Sequence, residues 1–307
     1  MRLIFFGTPE FAIPSLRSIL DSGIEVIAVI TQTDKQKGRG RRFLPPPVKI
    51  EAMAHGLFII QPASVKDKGF IDRLKALNPD MIIVVAYGKI LPSEIIHIPR
   101  MGCINLHASL LPKYRGAAPI NWAIINGDKV TGVTTMLMDE GMDTGPILLQ
   151  QRVEIRDDDT AGSLSERLAM EGAMLLIKTI EMVEKGDIRP IPQSGEPSYA
   201  PPLKKSDGLI DWSRPARMIY DFIRGVTPWP GAYTFLEGER IIITKVMPMD
   251  GEGRGGFIEE VTKDRLIVGT GNGLLSILEL KPEGRSVMDI KSFLQGRGAR
   301  EGMRFSC

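Results

Sequence analysis

The sequence predicts an α/β protein with a Rossmann-like, mostly parallel sheet in its N-terminal part and an OB-like β-barrel in its C-terminal part. Apolar runs that alternate with helical patterns predict the sheet, because strands buried on both faces have continuously hydrophobic sequences. Short alternating strands with glycine-rich turns, after a proline-rich stretch, predict the barrel. We expect a first domain over residues 1–189, a linker over 190–206 and the barrel domain over 207–307.

The N-terminal part begins with a strand over 2–6, a tight turn at Gly7-Thr8-Pro9 and an amphipathic helix that reaches Leu20. Further strands are predicted at 26–30, 81–85, 101–106 and 133–138, and helices at 70–77, 120–125 and 164–183. The first turn lacks the three-glycine dinucleotide fingerprint, because Pro9 and Glu10 stand where a phosphate loop needs small residues and free amides. A dehydrogenase is therefore disfavoured.

The C-terminal part contains one predicted helix followed by five short strands. The helix spans 215–224, and the strands span 233–236, 240–246, 257–261, 266–270 and 274–280. Residues 204–307 hold 16 Lys and Arg against 14 Asp and Glu, so charge alone does not indicate a nucleic-acid partner. On this pattern the barrel could equally be a spacer or a dimerisation unit.

Composition excludes several classes of protein. The net charge is +2, no apolar stretch reaches the roughly 18 residues of a membrane span, and the N-terminus has a strand pattern rather than a signal peptide. Two cysteines cannot form a disulfide framework. The three histidines show no paired ligand spacing. We therefore expect a cytoplasmic protein with no membrane partner and no catalytic metal.

The stretch Asn105–Gly116 carries the strongest candidates for chemistry. Asn105 and His107 end a predicted strand and are two residues apart, so both side chains point to one face, roughly 6–7 Å apart. An amide donor and an imidazole base at that distance can bracket a small reacting group. The alternative is that Asn105 caps a turn and His107 is a core histidine. Cys103 shares the face but lies too far from His107 to pair with it, which favours a buried, structural role.

An acidic, glycine-punctuated loop follows the predicted strand at 133–138. It contains Asp139, Glu140 and Asp143, any of which could orient an imidazole and stabilise its charged form. All three could instead serve turn geometry. The residues alone do not choose among them.

Several motifs give the chain a resemblance to the methionyl-tRNA formyltransferases, a family of folate-dependent formyltransferases, over nearly its full length. The histidine-bearing motif alone implies only folate-dependent formyl transfer, and the other motifs narrow the acceptor. The motifs are Phe6-Gly7-Thr8-Pro9-Glu10-Phe11-Ala12, Gly38-Arg39-Gly40-Arg41-Arg42, Pro46-Pro47-Val48-Lys49, Val85-Ala86-Tyr87-Gly88, Asn105 to Pro112, Tyr114 to Ile120, Asp143-Thr144-Gly145 and Pro228-Trp229-Pro230-Gly231.

The resemblance implies transfer of a formyl group from 10-formyltetrahydrofolate to the α-amino group of methionine on initiator tRNA. It implies that Asn105 and His107 stabilise the oxyanion formed when the amine attacks the formyl carbon. His107 and Asp143 would then relay the proton from the amine to the departing folate nitrogen. The implied folate contacts are Ser109, Leu110, Leu111, Pro112, Ala86, Tyr87, Ile90 and Leu91. Ala108 departs from the pattern, because relatives often have glycine there, and its methyl group is expected to crowd the loop slightly.

Residues 32–49 form an unusually long connection with six basic residues and one acidic residue, a local charge of 6 − 1 = +5. A solvated basic loop is the ordinary interpretation. The resemblance instead implies a tRNA-recognising loop, with contacts from Lys37, Arg39, Arg41 and Arg42, of which Arg39 is expected to reach the acceptor end.

Three other functions remain possible on the sequence. A glycinamide ribonucleotide formyltransferase would share the catalytic motif, but it would need a glycine-rich phosphate loop after the first strand and would lack the barrel. An enzyme that formylates amino sugars on nucleotides can share the barrel, but would not be expected to have the basic stretch followed by Pro45-Pro46-Pro47. A non-catalytic RNA-binding module is the alternative from another class.

Overall fold

The computed structural model describes residues 1–37, 42–296 and 299–306. The chain forms two compact units. The first contains residues 1–119, 130–154 and 165–200, and the second contains residues 120–129, 155–164 and 201–307.

The strands of the first unit are short to medium in length, and they are β1 (Arg2–Gly7), β2 (Glu25–Ile30), β3 (Lys35–Lys37), β4 (Arg42–Leu44), β5 (Ile59–Ile60), β6 (Met81–Val85), β7 (Cys103–His107), β8 (Arg115–Gly116), β9 (Val130–Leu137), β10 (Ile147–Glu154) and β11 (Tyr199–Ala200). The helices up to residue 200 are α1 (Ile13–Asp21), α2 (Pro47–Ala54), α3 (Lys68–Ala76), α4 (Ser93–Ile96), α5 (Pro119–Ile125) and α6 (Ala161–Lys185), with a 3₁₀ turn at Glu10–Ala12.

Seven of these strands form the main sheet, in the order β10-β9-β7-β6-β1-β2-β5. The five strands from β7 to β5 are parallel, β9 is antiparallel to β7, and β10 is antiparallel to β9. This confirms the predicted α/β class with a mostly parallel N-terminal sheet. The carboxyl ends of β6 and β7 are neighbours, so the loops that follow them meet at one edge of the sheet.

The sheet forms because β1 and β6 are apolar along their lengths and are covered on both faces. Every residue of β6 is buried, as are Leu3 to Phe6 of β1. On one side, Phe70, Ile71 and Leu74 of α3 join the core cluster that contains Ile4, Phe6 and Ile82. The helix starts where Asp67 caps it, accepting a hydrogen bond from the Phe70 amide at 2.8 Å.

The second unit contains an antiparallel sheet of its own. Its elements are a 3₁₀ turn at Lys205–Gly208, α7 (Ala216–Gly225), β12 (Ala232–Leu236), β13 (Glu239–Met249), β14 (Ile258–Val261), β15 (Leu266–Gly269), β16 (Leu274–Pro282), β17 (Met288–Asp289) and α8 (Ile290–Gly296). The strand order is β12-β13-β16-β15-β14, and β17 pairs with β16. Trp212 stacks on Phe305 in this unit and donates to the Thr234 hydroxyl at 3.0 Å.

The OB-like barrel is not confirmed. In the described part of the chain, no ladder joins the edge strands β12 and β14, so the strands form an open sheet. Single bridges connect residues near these edges to the C-terminal segment, Phe235 with Ser306 and Phe257 with Arg304. The prediction for the C-terminal part is confirmed only in that this part has a separate antiparallel sheet.

No helix in the described ranges has the length and apolarity needed to cross a membrane.

Candidate active site

The site is built at the carboxyl end of β7, where the strand period orients the candidate side chains. Asn105 and His107 face one side of the sheet, while Leu106 faces the other. Leu106 packs so closely on α6 that a Cβ built at Gly172 would lie 2.8 Å from its Cδ2 atom. The helix therefore covers one face and leaves Asn105 and His107 on the opposite one, as parity predicts.

His107 is 6% exposed, and each ring nitrogen faces a defined group. Nε2 lies 2.9 Å from the Tyr114 carbonyl oxygen, and Nδ1 lies 3.6 Å from Oδ2 of Asp143. Because a carbonyl oxygen can only accept, Nε2 carries the hydrogen in the neutral ring, and Nδ1 presents its lone pair. Nδ1 is thus the atom that can take up a proton, with a carboxylate beside it to stabilise the resulting charge.

The structure distinguishes between the three acidic residues of the β9–β10 loop. Asp139 shapes the turn, since its Oδ1 accepts from the Thr144 hydroxyl at 2.7 Å and from the Gly141 amide at 3.1 Å. Glu140 is exposed. Asp143 alone faces His107, and its Oδ2 also accepts from the Gly116 amide at 2.8 Å.

The loop returns toward the sheet at Gly145 because only glycine fits there. A Cβ at this position would lie 1.7 Å from the Leu137 carbonyl oxygen. Asp143 itself has φ of +53°, a left-handed conformation that is uncommon for a residue with a side chain. The short loop therefore imposes an unfavourable backbone geometry in order to present this carboxylate.

The Ser109–Pro112 loop is fixed by internal hydrogen bonds. The Ser109 hydroxyl, which is fully buried, donates to the Lys113 carbonyl at 2.6 Å, and its own carbonyl accepts from the Thr134 hydroxyl at 2.6 Å. Gln150 donates to the Leu111 carbonyl at 2.9 Å. Ser109 therefore acts on the shape of the loop, whereas Leu110 and Pro112 are half-buried. Sequence reasoning missed Thr134 and Gln150, because no motif surrounds either residue.

The loop after β6 lies beside this one. Ala86 is exposed with φ of +47°, Tyr87 is buried, Ile90 is 71% exposed and Leu91 is buried. The Tyr87 ring packs edge-on against Phe6 at 5.1 Å, and burial raises the pKa of its hydroxyl to about 12.

The Tyr87 carbonyl accepts hydrogen bonds from the Thr8 hydroxyl at 3.0 Å and from the Gln32 amide at 2.8 Å. Thr8 belongs to the turn after β1 and Gln32 to the segment after β2. The segments that follow β1 and β2 therefore help to hold the loop that follows β6 at this edge of the sheet.

The predicted basic loop contains a hairpin of β3 and β4, in which Lys35 pairs with Leu44 and Lys37 with Arg42. Arg39 and Arg41 lie outside the described residues, and Lys37 and Arg42 are described only in their backbones. Phe43 is 67% exposed on β4.

Two of the basic residues of this stretch have partners at the base of the hairpin. The Lys49 ammonium binds Asp34 at 2.8 Å, and this hydrogen bond contributes most to lowering the pKa of the Asp34 carboxyl. Lys35 donates to the Gln32 side-chain oxygen at 2.7 Å. Of these two contacts only the one between Lys49 and Asp34 is an ion pair, so it offsets part of the predicted positive charge, whereas the contact of the exposed Lys35 with a neutral amide does not.

Among the residues that the structure describes, no group of three or more His, Cys, Asp or Glu side chains is arranged to hold a metal ion. Cys103 is buried beside Met138, with the two sulfur atoms 3.5 Å apart, and burial raises its thiol pKa far above the ordinary value. It is not a nucleophile in this environment.

Two family models match most of the chain. Residues 1–180 match the family model "Formyl transferase", and residues 202–298 match "Formyl transferase, C-terminal domain". A methionyl-tRNA formyltransferase of Thermodesulfovibrio yellowstonii is 56% identical over 98% of this chain and 97% of its own length. One of Pelotomaculum thermopropionicum is 49% identical over 99% of this chain and 98% of its own.

A solved structure extends the likeness in fold. The sugar 3N-formyl transferase WlaRD, crystallised in the presence of dTDP and 5-N-formyl-tetrahydrofolate, superposes with a TM-score of 0.69 at 20% identity, over 93% of this chain and 99% of that protein. The two family models and the similarity of the full-length relatives are sufficient for assignment. The chain belongs to the formyl transferase family.

Proposed function

We propose that this formyl transferase transfers the formyl group of 10-formyltetrahydrofolate to the free α-amino group of methionyl initiator tRNA, giving N-formylmethionyl-tRNA for translation initiation. The observation that carries the proposal is the identity of 56% and 49% to two proteins of that name, across both family domains. The match to a sugar formyl transferase at 20% identity supports only a common fold. The glycinamide ribonucleotide alternative is further weakened by Thr8-Pro9-Glu10, where a phosphate loop would need small residues.

The reaction forms a bond between the amine nitrogen and the formyl carbon, and breaks the bond from that carbon to the folate nitrogen. Bound 10-formyltetrahydrofolate supplies the formyl carbon as the electrophile. Attack makes a tetrahedral oxyanion, which needs a fixed donor, and it leaves an excess proton on the amine. The side-chain amide of Asn105 supplies the donor in this proposal, on the same strand face as His107.

His107 accepts the proton at Nδ1 and returns it to the departing nitrogen. Two contacts support this role. Tyr114 fixes the tautomer through Nε2, and the Asp143 carboxylate, 3.6 Å from Nδ1, stabilises the imidazolium. The Gly116 amide, which donates to Oδ2 at 2.8 Å, holds the orientation of the Asp143 carboxylate. The pair thus forms a proton carrier that needs no metal.

The folate is proposed to lie between the β6 and β7 loops. The residues Ala86 and Ile90 are exposed on the β6 loop, and the apolar side chain of Ile90 suits contact with a flat heteroaromatic ring. Leu110 and Pro112 border the same edge, whereas Tyr87, Leu91 and Ser109 would act from beneath the surface.

The tRNA is proposed to meet the hairpin of β3 and β4. Its exposed Phe43 can stack on a base, and Lys37, Arg39, Arg41 and Arg42 can supply contacts to phosphates and base edges. The second unit would be the other tRNA-binding part, an OB-like domain over 207–307 after a linker over 190–206. The bridges from residues 304 and 306 toward β14 and β12 support a barrel-like arrangement. The substrate also implies the cytoplasm as the location.

The test is a formylation assay with purified protein and 10-formyltetrahydrofolate. Initiator methionyl-tRNA, glycinamide ribonucleotide and a dTDP-linked amino sugar are offered as separate acceptors, and the formylated product is measured for each. We expect product with the tRNA only, and a rate at least about 100-fold lower from His107→Ala. If glycinamide ribonucleotide or the amino sugar were formylated with a higher kcat/KM than the tRNA, that acceptor would be the substrate instead. Binding of tRNA without any product would indicate the RNA-binding module.

A further inference from the structure

The chain between α6 and the second unit runs along the candidate active site and is paired on both sides. Ile191 exchanges backbone hydrogen bonds of 2.7 and 2.8 Å with Ile147, which follows the Asp143 loop. Further on, β11 pairs with β8, joining Tyr199 to Arg115 and Ala200 to Gly116. The sequence predicted this stretch as part of a linker without periodicity. Its backbone is instead bonded to the segments before and after the site.

Gln193 lies in this stretch and connects the two sides through its side chain. Its Nε2 donates to the carbonyl oxygens of Asp143 and Gly145, both at 2.8 Å. Its Oε1 accepts from Arg115, from Nε at 3.1 Å and from Nη2 at 2.6 Å. Because a guanidinium only donates, Arg115 fixes the amide orientation, and both amide hydrogens must point at the loop.

Those two carbonyls belong to Asp143 itself and to Gly145, so they lie in the backbone directly after the side chain that presents the carboxylate. Asp143 has φ of +53°, so its backbone requires support from outside the loop. Rotation of the peptide group that follows Asp143 would change the course of the loop and displace Oδ2 from the Gly116 amide, 2.8 Å away, and from Nδ1 of His107, 3.6 Å away. Gln193 thus holds the backbone at and after Asp143, and its hydrogen bonds to this loop go to backbone carbonyls rather than to the carboxylate.

We propose that Gln193 is a positioning residue for formyl transfer, which holds the Asp143 loop in the conformation that keeps the carboxylate opposite His107. This inference rests on the proposed role of Asp143. Gln193 acts on the reaction by placing Asp143, so we expect its contribution in turnover rather than in the binding of either substrate. Arg115 supports the same arrangement by orienting the Gln193 amide.

The test uses the full-length enzyme and the variant Gln193→Met, which keeps the length of the side chain and removes its polar atoms. We expect kcat to fall by about 10- to 100-fold, with both KM values within about twofold of wild type. Gln151→Met is the matched control, since Gln151 is exposed on β10 and, within the described residues, its side chain donates to the Arg152 carbonyl and not to the loop of the site. Its kcat should not change.

A second variant guards against a folding defect. Gln193→Glu keeps the acceptor for Arg115 and loses both N–H donors, so it should remain folded and lose kcat to a similar extent. Wild-type kcat in both Gln193 variants would overturn the proposal.

Combination with Asp143→Asn separates positioning from general stabilisation, because the backbone carbonyls that Gln193 binds are still present in that background. We expect Gln193→Met to lower kcat in the wild-type background and to have no further effect in Asp143→Asn, while the decrease in Tm is the same in both. Equal losses of kcat in both backgrounds would overturn the inference about Gln193 alone. A fully active Asp143→Asn would instead overturn the role of Asp143 on which it rests.

Discussion

His107 combines two functions that substitution can separate, because its two nitrogens face different groups. Nε2 donates to the Tyr114 carbonyl at 2.9 Å, a structural contact in a buried position, and Nδ1 faces Asp143. His107→Ala removes both. Loss of the donor at a buried site is expected to cost about 1–3 kcal/mol of unfolding free energy. Loss of the base is expected to lower kcat at least about 100-fold, or about 2.7 kcal/mol at about 1.36 kcal/mol per factor of ten.

His107→Gln is the informative partner, because an amide nitrogen can replace Nε2 as the donor but cannot act as a base. We expect it to recover most of the stability lost in His107→Ala and none of the activity. Urea unfolding gives the first quantity, and single-turnover formylation of methionyl-tRNA gives the second. If His107→Gln transferred the formyl group at a near wild-type rate, proton transfer at Nδ1 would not be part of the mechanism.

Three other substitutions test separate parts of the molecule. Asn105→Ala should lower kcat at least about 100-fold while folate binding, followed by calorimetry, stays within twofold; an unchanged kcat would exclude Asn105 as the oxyanion donor. Arg17 lowers the pKa of the Glu51 carboxyl below its ordinary 4.5, so this pair stabilises the fold above that pH and the stabilisation is lost as pH falls through the folded-state pKa. Glu51→Gln should therefore make unfolding free energy fall less steeply with acid than in wild type, and parallel curves would contradict the assignment. Arg39→Ala should raise the barrier for methionyl-tRNA by about 1–3 kcal/mol in kcat/KM and leave the KM for folate unchanged; equal effects on both substrates would make the loop part of the folate pocket.

The sequence predicted the strands that are marked by an apolar pattern in their own residues. The strands at 2–6 and 81–85 appear within one residue of the expected bounds, because continuous apolar runs require burial on both faces. The edge strand β10 was missed. Its residues 150–152 are exposed, so the apolar pattern that marks the inner strands is absent there. The pairing of β8 with β11 depends on residues more than 80 positions apart and has no local signal.

The features of the candidate site can also be separated into those that local sequence predicted and those that it did not. Strand parity alone put Asn105 and His107 on one face. The residues alone did not choose Asp143 over Asp139, since both are acidic residues of one turn-rich loop, and only the family resemblance implied Asp143. What distinguishes them is that Asp139 is occupied by Thr144 and Gly141, whereas Asp143 is directed at His107. The sequence pattern does not contain that difference.

The backbone conformations at the site explain why the sequence pattern does not predict its geometry. Five described residues other than glycine have positive φ, and three of them, Ala86, Tyr114 and Asp143, border the site. Each such conformation costs about 1–3 kcal/mol and persists only where other groups hold it. Those groups are distant in the chain. The Tyr114 amide donates to the Ser198 hydroxyl at 2.9 Å, and the Asp143 carbonyl accepts from Gln193 at 2.8 Å, 84 and 50 residues away. The site is therefore shaped by tertiary hydrogen bonds that oppose local preference, and local sequence patterns report that preference rather than the bonds that overcome it.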